Sequence, residues 1–227
     1  MPRQGDVEPG YLGKLIAAAP QTLLGLTDMR GYDWSAAPHE RRVRPAYTED
    51  HVAKVDFSNS KAEAGFELRW AVFEECVFDK SVWWAAVFGK CQFLKCSFNK
   101  CRLYNCAFRG IFRDCSFKKL STKGEGFSFG WGSEYTRCNF ESVTVRNLSE
   151  EVGIRFEDCV ISGLFTNGTF RGRRYARRER FGSVPDLLFS TYYRPVSFIR
   201  CDLSGLKTEN FIFEEDVVFQ DTKKPDA

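Results

Sequence analysis

Large hydrophobic residues recur every five positions through the middle of the chain. Nine consecutive positions keep this spacing: Leu68, Phe73, Phe78, Trp83, Phe88, Phe93, Phe98, Leu103 and Phe108. A small residue precedes most of them by two positions, and polar pairs fill much of the remainder. A helix would place apolar residues three and four apart, and a simple strand would alternate strictly. Neither regular element therefore explains the pattern.

The five-residue spacing instead predicts short extended segments separated by turns. Residues two apart on an extended chain point to the same side, so each small residue shares a face with the large residue after it. Each turn rotates the chain, and the next pair then also faces inward. Four such segments close one coil, and coils stack at about 4.8 Å through main-chain hydrogen bonds. The pattern predicts an all-β, four-sided β-helix with these large residues in its core.

The nine cysteines fit the same plan, because each is followed two residues later by Phe, Leu or Ile. A free cysteine behaves as a small buried hydrophobe, so we predict core thiols. The clearest are Cys91, Cys96, Cys101 and Cys106. The odd total of nine cysteines argues against disulfides, and the five-residue spacing lacks the CxxC pairs of zinc sites. We expect no bound metal and no cofactor.

The repeat resembles that of the pentapeptide-repeat proteins, whose unit reads small–polar–Leu/Phe–x–x. It is clearest in CVFDK, CQFLK, CSFNK, CRLYN and CAFRG, and it covers 66–118 densely and 136–163 and 196–220 more loosely. The resemblance implies a right-handed, four-sided β-helix with Phe or Leu stacked inside. It also implies a binding role, because some members shield type II topoisomerases from drugs or toxins. Several of those members have an acidic coil that resembles DNA in charge.

Breaks in the repeat predict the organisation of the chain. Residues 1–50 lack it and are expected to cap the first coil, although a separate recognition arm is the alternative. Within this segment we predict a helix from Tyr11 to Ala19, stopped by Pro20, and a second short helix over 21–28.

The β-helix is expected over 51–220, followed by a tail over 221–227. A four-residue step between Phe108 and Phe112 shortens one coil side near Gly110. Residues 121–135 contain three glycines within seven positions and are predicted to form a loop. A second insertion is expected over 166–195.

A run of arginines in the second insertion is the candidate partner-binding site. It comprises Arg171, Arg173, Arg174, Arg177, Arg178 and Arg180. Clustered arginines suit phosphates or an acidic protein surface. The alternative is a solvated loop, partly neutralised by the acidic run at 214–216.

The sequence offers little for catalysis. It contains no P-loop and no HExxH, and the adjacent acidic pairs are interpreted as solvated surface. We therefore expect no catalytic residues and no enzymatic activity. No apolar run is long enough to cross a bilayer, and the first ten residues lack an apolar signal core, so we expect a cytoplasmic protein without membrane contact.

Two function classes follow from these observations. The first is a protein-binding solenoid that neutralises a macromolecular target, either as an immunity protein against a toxin or as a protector of a topoisomerase. The second is a basic nucleic-acid-associated module that acts through the arginine loop. Residues 50–120 carry twelve Lys or Arg against eight Asp or Glu, a net charge of +4. This sign is wrong for a DNA mimic, so toxin neutralisation is favoured over topoisomerase protection.

Overall fold

The structure, a computed structural model, describes residues 7, 10–36, 45–48, 50–172 and 194–225. Within these ranges the chain forms one short helix and many short strands. They are α1 (Tyr11–Ala18), β1 (Thr27–Asp28), β2 (Ala46–Thr48), β3 (His51–Ala53), β4 (Val55–Asp56), β5 (Lys61–Ala62), β6 (Glu67–Arg69), β7 (Val72–Glu74), β8 (Val82–Trp84), β9 (Val87–Leu94), β10 (Arg102–Tyr104), β11 (Ala107–Arg113), β12 (Ser121–Lys123), β13 (Glu134–Thr136), β14 (Asn139–Arg146), β15 (Glu150–Glu151), β16 (Arg155–Glu157), β17 (Val160–Phe170), β18 (Ser197–Ile199), β19 (Leu206–Phe213) and β20 (Val218–Gln220).

Strands pair in parallel with strands of the neighbouring coils. One sheet runs β2-β6-β9-β11-β13-β16-β18-β20, with β3 and β7 beside it. A second runs β5-β8-β10-β12-β14-β17, with β15 and β19 also on β17. Because partners are about one coil apart in sequence, the chain winds into a parallel β-solenoid of about seven turns. The predicted β-helix is confirmed.

Columns of stacked side chains fill the solenoid. One column stacks with ring centroids 4.7 to 5.3 Å apart: Phe73, Phe93, Phe112, Tyr135, Phe156, Phe198 and Phe219. A second column has centroids 4.5 to 5.3 Å apart: Phe57, Phe78, Phe98, Phe117 and Phe140. Strand register also places Leu68, Phe88 and Phe108 in one column and Trp83 beside Leu103. Every large residue predicted for the core is buried.

All nine cysteines are buried free thiols, as predicted. Many of them lie against the main chain of the preceding coil. The Cys101 thiol donates to the carbonyl oxygen of Phe78 at 3.1 Å, and the Cys115 thiol donates to that of Phe93 at 3.3 Å. Burial raises the pKa of the Cys91 thiol to about 12. Such a thiol stays protonated and unreactive at neutral pH.

The shortened coil side near Gly110 is also confirmed. The pairing of β9 with β11 shifts register between Arg109 and Gly110. A Cβ atom at Gly110 would overlap the carbonyl oxygen of Cys91. Only glycine therefore allows the two coils to approach this closely.

Three sequence expectations are corrected, the first being the loop over 121–135. This stretch continues the coil: β12 pairs with β10, Ser128 bridges to Ala107, and Phe127 and Phe129 are buried. Its glycines serve as coil corners, since Gly124 and Gly130 have φ values of 94° and 82°.

The second insertion begins later than predicted, because residues 166–170 still belong to β17, which pairs with β19. Residues 173–193 lie outside the described residues. The helix predicted over 21–28 is also absent. Instead, Thr22 and Leu26 close a turn, and β1 pairs with β4. The helix predicted from Tyr11 is confirmed as α1.

The start of the solenoid is covered by an aromatic residue of the N-terminal segment. The Trp34 ring stacks on Phe66 with centroids 5.0 Å apart, and its indole N–H donates to the Ser60 hydroxyl at 3.1 Å. Trp34 is fully buried. The segment therefore shields core rings that would otherwise meet water.

Coil corners are formed by residues with positive φ, and most of them are not glycine. One column of corners alternates in charge along the whole solenoid: Lys54, Glu75, Lys95, Asp114, Arg137, Asp158, Arg200 and Asp221. We call it the alternating corner. Neighbours in it form ion pairs, with Lys95–Glu75 at 3.2 Å and Arg137–Asp114 at 2.6 Å. Stacking one coil on the next here brings opposite charges together.

Candidate functional site

The structure describes only one of the six arginines predicted to bind a partner. Arg171 follows β17 and forms an ion pair with Glu214. The backbone N–H of Gly172 donates to the same carboxylate at 2.8 Å. Arg171 therefore binds the acidic run, as the neutralised-loop alternative predicts. The other five lie outside the described residues and stay predictions: Arg173, Arg174, Arg177, Arg178 and Arg180.

A second group of cations, not singled out by sequence reasoning, lies on the sheet formed by β8, β10, β12 and β14. Three lysines occupy one corner column on consecutive coils, and three more cations lie on the adjoining strands. The group consists of Lys80, Lys100, Lys119, Arg102, Lys123 and Arg146, and all six side chains are exposed. We call it the basic strip.

The corner lysines adopt a backbone conformation that does not favour lysine. Lys80, Lys100 and Lys119 have φ values of 61°, 60° and 55°. This left-handed region costs an ordinary residue about 1–2 kcal/mol, and glycine and asparagine enter it most easily. The corner column at the far side of the same sheet begins with Ala85 and then uses only those two types: Asn105, Gly124, Asn147, Asn167 and Asn210. Backbone geometry therefore gives no reason for three lysines.

The charges of the basic strip are also not neutralised. Among the described residues, none of its six cations forms an ion pair. Nearby carboxylates are engaged elsewhere: Glu141 pairs with Lys118 at 3.0 Å, and Asp79 accepts from the backbone N–H of Asn99 at 2.8 Å. The basic strip thus lacks the pairing that the alternating corner has.

An exposed aromatic pair lies within the basic strip. The rings of Trp84 and Tyr104 stack with centroids 4.2 Å apart and planes 6° from parallel. The Trp84 residue is 44% exposed. Strand register places Lys123 directly after Tyr104 in the same outward column. At the other end of these short strands, the three corner lysines line an open groove of about 260 Å³ together with Asp79, Asn99 and Lys118.

The interior of the described coils offers no comparable site. The void lined by Phe108, Phe129 and Tyr135 holds only about 10 Å³ and is wholly apolar. No group of three or more His, Cys, Asp or Glu within the described ranges could hold a metal ion. None of the helices described is long and apolar enough to span a membrane.

One acidic residue interpreted as solvated is in fact buried. Glu151 has no exposed surface, and one carboxylate oxygen accepts from the backbone N–H of Phe129 at 2.9 Å. The other oxygen receives no hydrogen bond. Burial raises the pKa of Glu151 to about 8. It lies inside the coil wall and faces no pocket, so it concerns stability.

The basic strip escaped sequence reasoning because its members are about twenty residues apart. Lys80, Lys100 and Lys119 each lie two positions after a core phenylalanine, at Phe78, Phe98 and Phe117. Aligning the sequence by coil, with the short step taken into account, would have brought them into one column.

No protein-family model matches the sequence, and no curated protein is similar enough to match. Solved structures of QnrB1, a plasmid-mediated fluoroquinolone resistance protein, are similar. A trypsin-treated variant has 13% identity, covers 84% of this chain and 91% of its own, and has a TM-score of 0.43. A second variant has 12% identity, the same coverage and a TM-score of 0.38.

Full-length QnrB1 has 12% identity, covers 75% of this chain and 94% of its own, and has a TM-score of 0.20. Because these identities and TM-scores are low, the alignments carry no functional argument. The fold is established by the chain's own five-residue repeat, its parallel pairing from coil to coil and its columns of buried rings. By these features the chain has the β-solenoid fold expected from its resemblance to the pentapeptide-repeat proteins.

Proposed function

We propose that the protein is a non-enzymatic binding solenoid that neutralises or shields a macromolecular target, with a protein toxin as the first candidate. The observation that carries this proposal is the contrast between a filled interior and an outer wall whose basic strip has cations without ion-pair partners among the described residues. A rigid solenoid offers a wide, preformed surface, so little conformational entropy is lost on binding.

Topoisomerase protection is the second candidate. The sign of the charge limits its mechanism. An acidic coil can replace DNA on a topoisomerase, whereas a wall with exposed lysines cannot imitate phosphates. Protection by this chain would therefore need direct contact with an acidic part of the enzyme.

The third candidate is a basic nucleic-acid-associated module. Its binding would fall steeply as salt rises, because phosphate contacts release counterions. A protein complex that persists at moderate salt would exclude it as the main activity.

The test starts from capture of a protein partner out of native cytoplasm at moderate salt. The partner is then produced pure, and its activity is measured with increasing amounts of this chain. We expect inhibition that ends at a fixed stoichiometry if the partner is a toxin. Purified gyrase is assayed in parallel for supercoiling under a fluoroquinolone, and rescue there would favour the second candidate.

Turnover of the partner by substoichiometric amounts of this chain would contradict the proposal. An unchanged activity of both the partner and gyrase would contradict it too. The variant with Arg173, Arg174, Arg177 and Arg178 changed to Ala tests the arginine loop in the same assays. Loss of inhibition with an unchanged melting temperature would assign recognition to that loop.

A further inference from the structure

We propose that the basic strip is a docking surface for an acidic segment of a protein partner. The inference rests on the proposed binding function and adds the location and the chemistry of the contact. The partner segment would present carboxylates to the lysine corner and an apolar or carboxylate group to the Trp84–Tyr104 pair.

The first argument compares two corner columns of the same solenoid. Both hold residues with positive φ on consecutive coils, so both face the same backbone demand. In the alternating corner each cation lies next to an anion, which removes repulsion between coils. In the basic strip Lys80, Lys100 and Lys119 lie one coil apart, about 4.8 Å, with no anion between them.

Three like charges at this spacing repel one another and lower the stability of the isolated chain. The alternating corner has the same backbone conformation but paired charges, so the unpaired charge, and not the backbone, distinguishes the basic strip. An acidic partner removes the repulsion on binding and supplies the anions that the solenoid lacks. Charge complementarity therefore identifies the occupant as acidic.

The second argument concerns the aromatic pair and favours a protein over a nucleic acid. Proteins that bind single-stranded nucleic acids without sequence preference stack the bases on open aromatic faces. Here Trp84 and Tyr104 use one face each on the other, and Lys123 follows Tyr104 in the column. Base stacking is therefore blocked between the two rings. Ring edges carry positive partial charge and suit carboxylates, and Trp, Tyr and Arg are the residues that most often anchor protein interfaces.

The test uses a fluorescent poly-L-glutamate peptide as the acidic probe and measures anisotropy with the full chain. In the strip variant, Lys80→Asn, Lys100→Asn and Lys119→Asn remove three charges and place asparagine in a conformation it tolerates. Its melting temperature should not fall. Affinity for the peptide should fall about tenfold, because the variant loses three ion pairs and each exposed pair contributes only modestly.

The matched control is the alternating-corner variant, with Lys54→Asn, Lys95→Asn and Arg137→Asn. It removes the same charge from the same type of corner, so its affinity should stay within about twofold of the unmodified chain. Equal losses in both variants would overturn the proposal, because the peptide would then be sensing net charge alone. Trp84→Ala should also weaken binding, and full affinity there would remove the aromatic anchor from the interface.

A single-stranded poly-dT oligonucleotide is measured in the same way. Tighter binding of poly-dT than of poly-L-glutamate, lost in the strip variant, would make the partner a nucleic acid and overturn the proposal. The partner-inhibition assay separates this inference from the proposed function. Inhibition that survives in the strip variant, with no difference in peptide binding, would reject the docking surface and leave the binding function standing.

Discussion

Replacing Glu151 by glutamine should stabilise the protein and change how its stability depends on pH. The carboxyl group is fully buried, and only one of its oxygens accepts a hydrogen bond. Burial raises its pKa to about 8 from an ordinary 4.5. Between these two pH values the folded state binds a proton that the unfolded chain has lost. The unfolding free energy therefore falls as pH rises through this window.

The pKa difference gives the size of the effect. The interval from 4.5 to about 8 corresponds to roughly 5 kcal/mol of lost stability once the pH exceeds about 8, and to about 3 kcal/mol at neutral pH. Glu151→Gln keeps the shape and the acceptor but cannot ionise. Relative to this variant, the unmodified protein should lose stability by these amounts as pH rises.

Urea denaturation from about pH 4 to about pH 9 measures the effect. The control is Glu157→Gln, because hydrogen bonds with Arg200 and Arg155 lower the pKa of that half-buried carboxyl. The contribution of Glu157 is therefore lost as pH falls, opposite in sign to that of Glu151. Parallel pH profiles for the unmodified protein and Glu151→Gln would refute the reasoning, since the carboxyl could then not be buried and neutral.

Three further predictions concern the core. Phe98→Ala should cost about 3–5 kcal/mol in urea denaturation, because the ring stacks between Phe78 and Phe117, and a cost below about 1 kcal/mol would contradict the ring column. Gly110→Ala should cost about 1–3 kcal/mol through overlap with the neighbouring coil, while Gly89→Ala, whose nearest atom would lie 3.6 Å away, should be tolerated. Thiol titration should find few reactive groups in the native protein and nine after denaturation, and a measured disulfide or stoichiometric zinc would overturn this account.

Much of the core could be predicted from the sequence because one simple rule repeats. Each five-residue unit places a small and a large residue inside, so a single register assigns the buried positions coil after coil. The rule holds even at the last coil, where Val217 and Phe219 point inward and Val218 is exposed. The four-residue step at Gly110 was visible for the same reason.

The glycines over 121–135 were misleading, because a glycine-rich segment can form either a loop or the corners of a coil. Gly124 and Gly130 supply positive φ at turns of the coil, while Phe127 and Phe129 keep the core filled. Glu151 was misjudged for a related reason. On an extended chain adjacent residues face opposite sides, so an acidic pair can place one member inside.

The basic strip could not be found from neighbouring residues, since contacts between coils join positions about twenty apart. Its meaning depends on the comparison with the alternating corner, where the same backbone position carries paired charges. That comparison requires the corner residues to be aligned coil by coil, as they are in the structure.

The central claim is that the protein binds its target through its outer wall, at the basic strip. Isothermal titration of the captured protein partner against three chains tests it most directly: the unmodified protein, the strip variant and the alternating-corner variant. The account predicts that the strip variant loses at least about tenfold in affinity while the alternating-corner variant binds like the unmodified protein. Undiminished binding by a folded strip variant would contradict it.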